Sequence, residues 1–214
     1  MIETYMSHNK IKELFSKHPI LYSTGLFMLY TICFFITEKI NSRPAFLIHS
    51  FIDDLIPFSS YAAIPYCFWF IEIAVVLLYV YRSKGNDELF RSVSLILSAM
   101  ITATVLYFLF PTQIDLRSAN VPGNDLCALL TRFIYTVDNS RNVCPSGHAY
   151  VCYLMSVIWK RNADKKTALF MAVLNIVISV STLFLKQHSI IDILIGLIYG
   201  ILIRYISDRM YDRN

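Results

Sequence analysis

Asn142-Val143-Cys144-Pro145-Ser146-Gly147-His148 and Lys186-Gln187-His188-Ser189-Ile190-Ile191-Asp192 each put a histidine at the edge of a long apolar run. In the second stretch an acid follows its histidine by four residues. Such groups suit proton handling or nucleophilic attack far better than they suit a lipid-facing helix, where ionisable side chains are costly. The rest of the chain reads as a scaffold that brings these two stretches together.

Of the 214 residues, 56% are hydrophobic and 16% are charged, against about 45–50% and about 25% in soluble domains. The excess falls in runs of roughly 15–22 residues, enough to cross a hydrocarbon core about 30 Å thick at about 1.5 Å per residue. The expected fold is an all-α, polytopic membrane protein, one domain over residues 1–214. The formal net charge of +4 is too small to argue for a nucleic-acid partner. Cys33, Cys67, Cys127, Cys144 and Cys152 form no zinc-like pair. Cys127 and Cys144 share a loop and are candidates for a disulfide only if that loop faces an oxidising compartment.

Working outward, six transmembrane helices are predicted: 19–36, 61–80, 92–110, 145–159, 167–185 and 190–206. The first follows basic residues, but it is too long for a signal-peptide core and ends without a small-x-small cleavage site, so it is retained. Residues 42–58 mix apolar positions with His49, Asp53 and Asp54. A span there would bury two adjacent carboxylates at about 2.5–3.5 kcal/mol each, so this segment is placed at the membrane interface. Glu72, midway along the second span, should face the bundle interior as a structural hydrogen-bonding group or in proton or substrate traffic. The 111–145 loop is the longest polar stretch, and loops of that length are often functional. Gly196-x-x-x-Gly200 permits close helix packing. Segments on the side of the termini, counted with Arg204 near the end of the sixth span, carry 13 Lys/Arg and the opposite loops carry 6. The positive-inside rule then makes both termini cytoplasmic.

With this topology, one helix in and one helix back separate His148 from His188, so both lie at the outer face with Arg117, Ser146, Lys186 and Asp192. His188 and Asp192 share a helical face. The carboxylate can hold one imidazole nitrogen and leave the other to attack, as in a nucleophile-plus-orienter pair. His148 is then available as a general acid. Ser146 and Gly147 open a helix behind Pro145, where backbone N–H groups receive anions, and Arg117 and Lys186 can neutralise phosphate. Two other assignments stand beside this one: ordinary hydrogen-bonded histidines at helix ends, and a metal site built from His148, His188 and Asp192.

Cys-Pro-Ser-Gly-His at 144–148 and His-x-x-x-Asp at 188–192 resemble the second and third signatures of the type-2 phosphatidic acid phosphatase superfamily. The signature region covers about 92–206. The resemblance implies that His188 is the phosphorylated nucleophile, Asp192 its partner and His148 the acid. Ser146, Gly147 and Arg117 would hold phosphoryl oxygens, with no metal cofactor. Two positions depart from the pattern: Phe110 stands where the first signature has lysine, and Thr182 where the third has arginine. Lys186 would restore that charge if 182 and 186 share a helical face. The Tyr135…Asp138…Asn142 run and Ser181-Thr182 look like a branch near the inositol phosphorylceramide synthases. The expected activity is therefore a membrane lipid-phosphate phosphatase acting at the outer face. The alternatives are a lipid phosphotransferase and a non-catalytic membrane protein that binds lipid phosphate or a metal. Phosphatidic acid, phosphatidylglycerol phosphate and polyprenyl diphosphate all present suitable phosphoesters. The small single domain suits a bacterial cytoplasmic membrane.

Overall fold

Helices make up most of the described chain because its apolar runs are long and its breakers sit between them. The computed structural model describes residues 13–40, 43–117 and 120–211. The main elements are α1 (Pro19–Ile40), β1 (Phe46–Leu47), α2 (Phe51–Leu55), α3 (Ala63–Lys84), α4 (Asn86–Leu109) and β2 (Thr112–Gln113). They are followed by α5 (Leu126–Val137), α6 (Gly147–Asn162), α7 (Lys165–Phe184) and α8 (Ile190–Tyr211). Gly85, at φ 81°, ends α3 in a conformation that glycine adopts without penalty. Asp87 and Glu88 then favour the N-terminus of α4. Side chains of Asp125, Ser146 and Asp164 cap α5, α6 and α7 by accepting backbone N–H bonds.

Among the described residues, five helices are long and apolar enough to cross a membrane: α1, α3, α4, α7 and α8. The remaining predicted span differs. Helix α6 has 16 residues, about 24 Å at the α-helical rise and so shorter than the hydrocarbon core. It is the centre of the bundle, packed against α3, α4, α7 and α8. Val151, Leu154, Met155 and Ile158 are fully buried on it. Lipid-facing apolar surface lies instead on the outer helices, and α1 is the least buried of them.

Glu72 does face the interior, where its Oε1 accepts a 2.8 Å hydrogen bond from Asn175 Nδ2 of α7. The 42–58 segment forms no span within its described residues. It runs through β1 and α2 across the end of the bundle, and β1 pairs in parallel with β2. All five cysteines are free thiols.

The glycine pair on α8 sets how closely that helix meets α6. A Cβ added at Gly196 would lie 2.8 Å from Ser146 O and 3.0 Å from Ala149 Cβ. One at Gly200 would lie 3.0 Å from Tyr153 Cδ1. The gap admits hydrogen only. Gly196→Ala should therefore lower the unfolding temperature, because an overpacking cost of about 1–3 kcal/mol outweighs the helix-propensity gain of about 1 kcal/mol. Gly25→Ala, at an exposed position with open space around it, should not lower it. Thermal unfolding of both variants in one detergent checks this, and equal behaviour would refute the contact.

Candidate active site

Helix α7 stops at Phe184, and Lys186 turns the chain at φ 56°. The amides of Gln187 and His188 donate to Thr182 O at 2.9 and 3.4 Å. That turn delivers His188 to the start of α8, where its Nδ1 bonds Asp192 Oδ2 at 3.1 Å. The i, i+4 spacing puts the two side chains on one face. Asp192 is completely buried and His188 nearly so, so the pair holds a fixed geometry.

His148 arrives from the other side, on the first turn of α6. Ser146 N donates to Asp192 O at 2.9 Å, and Tyr107 Oη donates to Pro145 O at 2.5 Å. These bonds fasten the Pro-Ser-Gly-His turn to α8 and α4. Ser146 Oγ accepts from Ala149 N, while the amides of Gly147 and His148 have no partner among the described residues. Free amides at a helix N-terminus are an anion site. The His148 ring lies against Tyr66 and Trp69, with centroids 4.4 and 4.8 Å away, and stands 5.6 Å from the His188 ring at a steep angle. Its Nε2 is buried and unbonded.

Arg117 enters from the loop after β2. Its guanidinium donates to Asp138 O and Asn139 O at 2.7 and 2.6 Å, bonds Gln187 Oε1, and lies over the Tyr135 ring at 4.8 Å. Gln187 adjoins His188, so the cation is anchored one residue from the histidine. Lys186 is placed differently. Its ammonium donates to the carbonyls of Asp53 and Ile56, each at 2.5 Å. Because α7 has ended before it, Lys186 does not share a helical face with Thr182.

The carbonyl of Asp53 belongs to a residue whose side chain sequence reasoning assigned to the membrane interface. Asp53 is buried, 2% exposed. Its carboxylate accepts from Ser189 Oγ at 2.5 Å, Ile190 N at 2.8 Å and Ser50 N at 2.8 Å. It therefore caps α8 from outside, and with Lys186 it grips the chain on both sides of His188. The burial has a physical reason: hydrogen bonds to N–H and O–H donors offset the burial of a carboxylate. The partners Ser189 and Ile190 lie more than a hundred residues away, and the only local signal was the Ser50…Asp53 capping spacing.

A cavity of about 780 Å³ opens beside the two histidines. Gly147, His148, Gln187 and His188 line one end with Asp138, Asn139, Arg141 and Asn142, and mostly apolar side chains of α1, α3 and α4 line the rest as far as Tyr81. The distance from Tyr66 to Tyr81 along α3 is about 22 Å. Among the described residues, no cluster of His, Cys, Asp and Glu is arranged to hold a metal ion.

Residues 97–214, over half of the chain, match the PAP2 superfamily. The chain belongs to that superfamily. No curated protein and no solved structure matches it. PAP2 superfamily members are phosphatases and phosphotransferases, so membrane lipid-phosphate chemistry follows from the family and the apolar helices together. The match excludes residues 43–56, the strap that holds the His188 turn.

Asp53→Ala should lower turnover by about 10²-fold with KM little changed, since misplacement of a reacting group by about 1 Å costs that much. Asp53→Asn keeps an oxygen for Ile190 N and should recover part of the loss. A KM effect without a turnover effect would count against a positioning role.

The same strap carries a titrating clip. His49 Nδ1 bonds Asp115 Oδ1 at 2.8 Å and Nε2 bonds Asp54 Oδ1 at 3.1 Å. Hydrogen bonds to Asp115 and then Asp54 raise the His49 pKa above its usual value. The clip's stabilisation is complete below about pH 6.5 and disappears as pH rises through the raised folded value. Wild-type unfolding temperature should fall across that window more than that of His49→Gln, and parallel pH profiles would refute the clip.

Proposed function

We propose that the protein is a lipid-phosphate phosphatase with a phosphohistidine intermediate. The observation that carries this is the His188–Asp192 pair at 3.1 Å facing the His148 ring at the mouth of a long apolar cavity. A substrate with its phosphate between the rings has room for its hydrocarbon tail between α1 and α3.

In the first step, His188 Nε2 attacks phosphorus while Asp192 retains Nδ1–H and offsets the charge developing on the ring. The P–O bond to the lipid breaks, and His148 protonates the departing alkoxide. In the second step, water attacks the phosphohistidine, His148 takes its proton, and phosphate leaves with His188 restored. The Gly147 and His148 amides and Arg117 stabilise the equatorial oxygens, with Ser146 holding the turn that presents those amides. Such preorganised donors are usually the largest catalytic contribution. For Lys186, the bonds to Asp53 and Ile56 support holding the strap beside the nucleophile more than a direct phosphate contact.

In the proposed arrangement the chain is a single transmembrane domain. The buried α6 and its flanking turns complete six spans, both termini are cytoplasmic and the histidines face outward. The bias of 13 Lys/Arg against 6 supports this orientation. A phosphotransferase is the second possibility, favoured by the Tyr135 and Asp138 run. Tyr135 Oη bonds Leu185 O at 2.6 Å, and Tyr66 Oη bonds Asp138 at 2.7 Å beside His148.

Phosphate release should be measured from phosphatidic acid, phosphatidylglycerol phosphate and polyprenyl diphosphate by purified protein in EDTA. Release is expected to persist without added metal, to fall by about 10²–10⁴-fold in His148→Ala, and to vanish in His188→Ala together with acid-labile phosphoenzyme. Phosphoenzyme formation in His188→Ala would overturn the nucleophile. Turnover only on addition of a lipid alcohol would assign the transferase.

A further inference from the structure

At the end of the bundle farthest from the histidines, a second cavity of about 430 Å³ is lined by Arg91, Val157, Lys160, Arg161, Arg204 and Asp208. It lies among the early part of α4 and the last turns of α6 and α8. Lys160 stands about 18 Å along α6 from His148, and the two cavities share no lining residue.

Among the described residues the charges of this pocket do not balance. Arg91 Nη2 and Arg204 Nε both draw on Asp208, at 3.1 and 3.3 Å. Arg161 Nε takes Glu88 Oε1 at 2.5 Å. Four cations thus meet two carboxylates, and exposed Lys160 has no carboxylate partner among the described residues. Helix C-termini attract cations, which accounts for Lys160 and Arg161. It does not account for Arg91, which lies towards the positive end of α4. Guanidinium groups match phosphate oxygens in bidentate fashion. Ile201, Tyr205 and Ile206, on the helix that carries Arg204, are exposed apolar side chains suited to acyl chains.

We propose that this pocket binds the phosphate head-group of an anionic phospholipid from the leaflet opposite the active site, without turning it over. A lipid is favoured over free phosphate because the pocket opens at the ends of membrane-crossing helices, at head-group level.

Native mass spectrometry of the His188→Ala protein, which leaves the pocket untouched and removes the proposed nucleophile, tests this independently of the catalytic proposal. The probes are phosphatidylglycerol, phosphatidylcholine and inorganic phosphate. Phosphatidylglycerol should be retained in preference to phosphatidylcholine, resist displacement by inorganic phosphate, and bind about tenfold more weakly in Lys160→Glu. Arg204→Gln should act in the same direction. Should loss of the Asp208 bond unfold that variant, exposed Lys160 still decides the matter. Unchanged retention in Lys160→Glu, equal retention of phosphatidylcholine, or displacement by inorganic phosphate would each overturn the proposal.

Discussion

The approach of α8 to α6 at Gly196 is the constraint on which the candidate active site depends. Only a hydrogen fits opposite Ser146 O, and that closeness lets Ser146 N reach Asp192 O. Asp192 therefore acts twice, its carbonyl fixing the turn before His148 and its carboxylate fixing His188. A half-ångström separation of the helices would loosen both histidines together. Packed interiors resist such movement, because displaced contacts are not replaced.

The strap complements this from the opposite direction. Asp53 and Lys186 hold the chain on either side of His188, and β1–β2 pairing joins the same strap to the segment leading to Arg117. A histidine in a turn would otherwise sample several positions. Here each neighbouring backbone segment is tied to something buried.

Much of this was legible in the sequence because the informative spacings are short. His188 and Asp192 are one helical turn apart, Pro145 to His148 form a continuous turn, and Gly196 to Gly200 mark one helix face. The long apolar runs gave the outer helices. Asp53 was not legible, since a carboxylate beside another carboxylate looks like surface until its donors, residues 189 and 190, are known. The surroundings of Lys186 were not legible for a related reason. Its charge looked available for phosphate, but one residue in the left-handed region aims the side chain at two carbonyls. Helix α6 was the least typical span because its neighbours, rather than lipid, surround it.

The polarity of the helices links both ends of the molecule. Helices α6 and α8 run the same way, each starting at the candidate active site, so their dipoles add. At their N-termini the free amides and positive ends favour a phosphoryl group, and Asp53 answers the same field at α8. At their C-termini the negative ends call for cations, and Lys160, Arg161 and Arg204 lie there. Dipoles decay within a turn, however, and the strength of that demand is limited to a fraction of a charge per helix. Four cations offset by two carboxylates exceed it. The excess charge at the far face is what the proposed anionic head-group would offset.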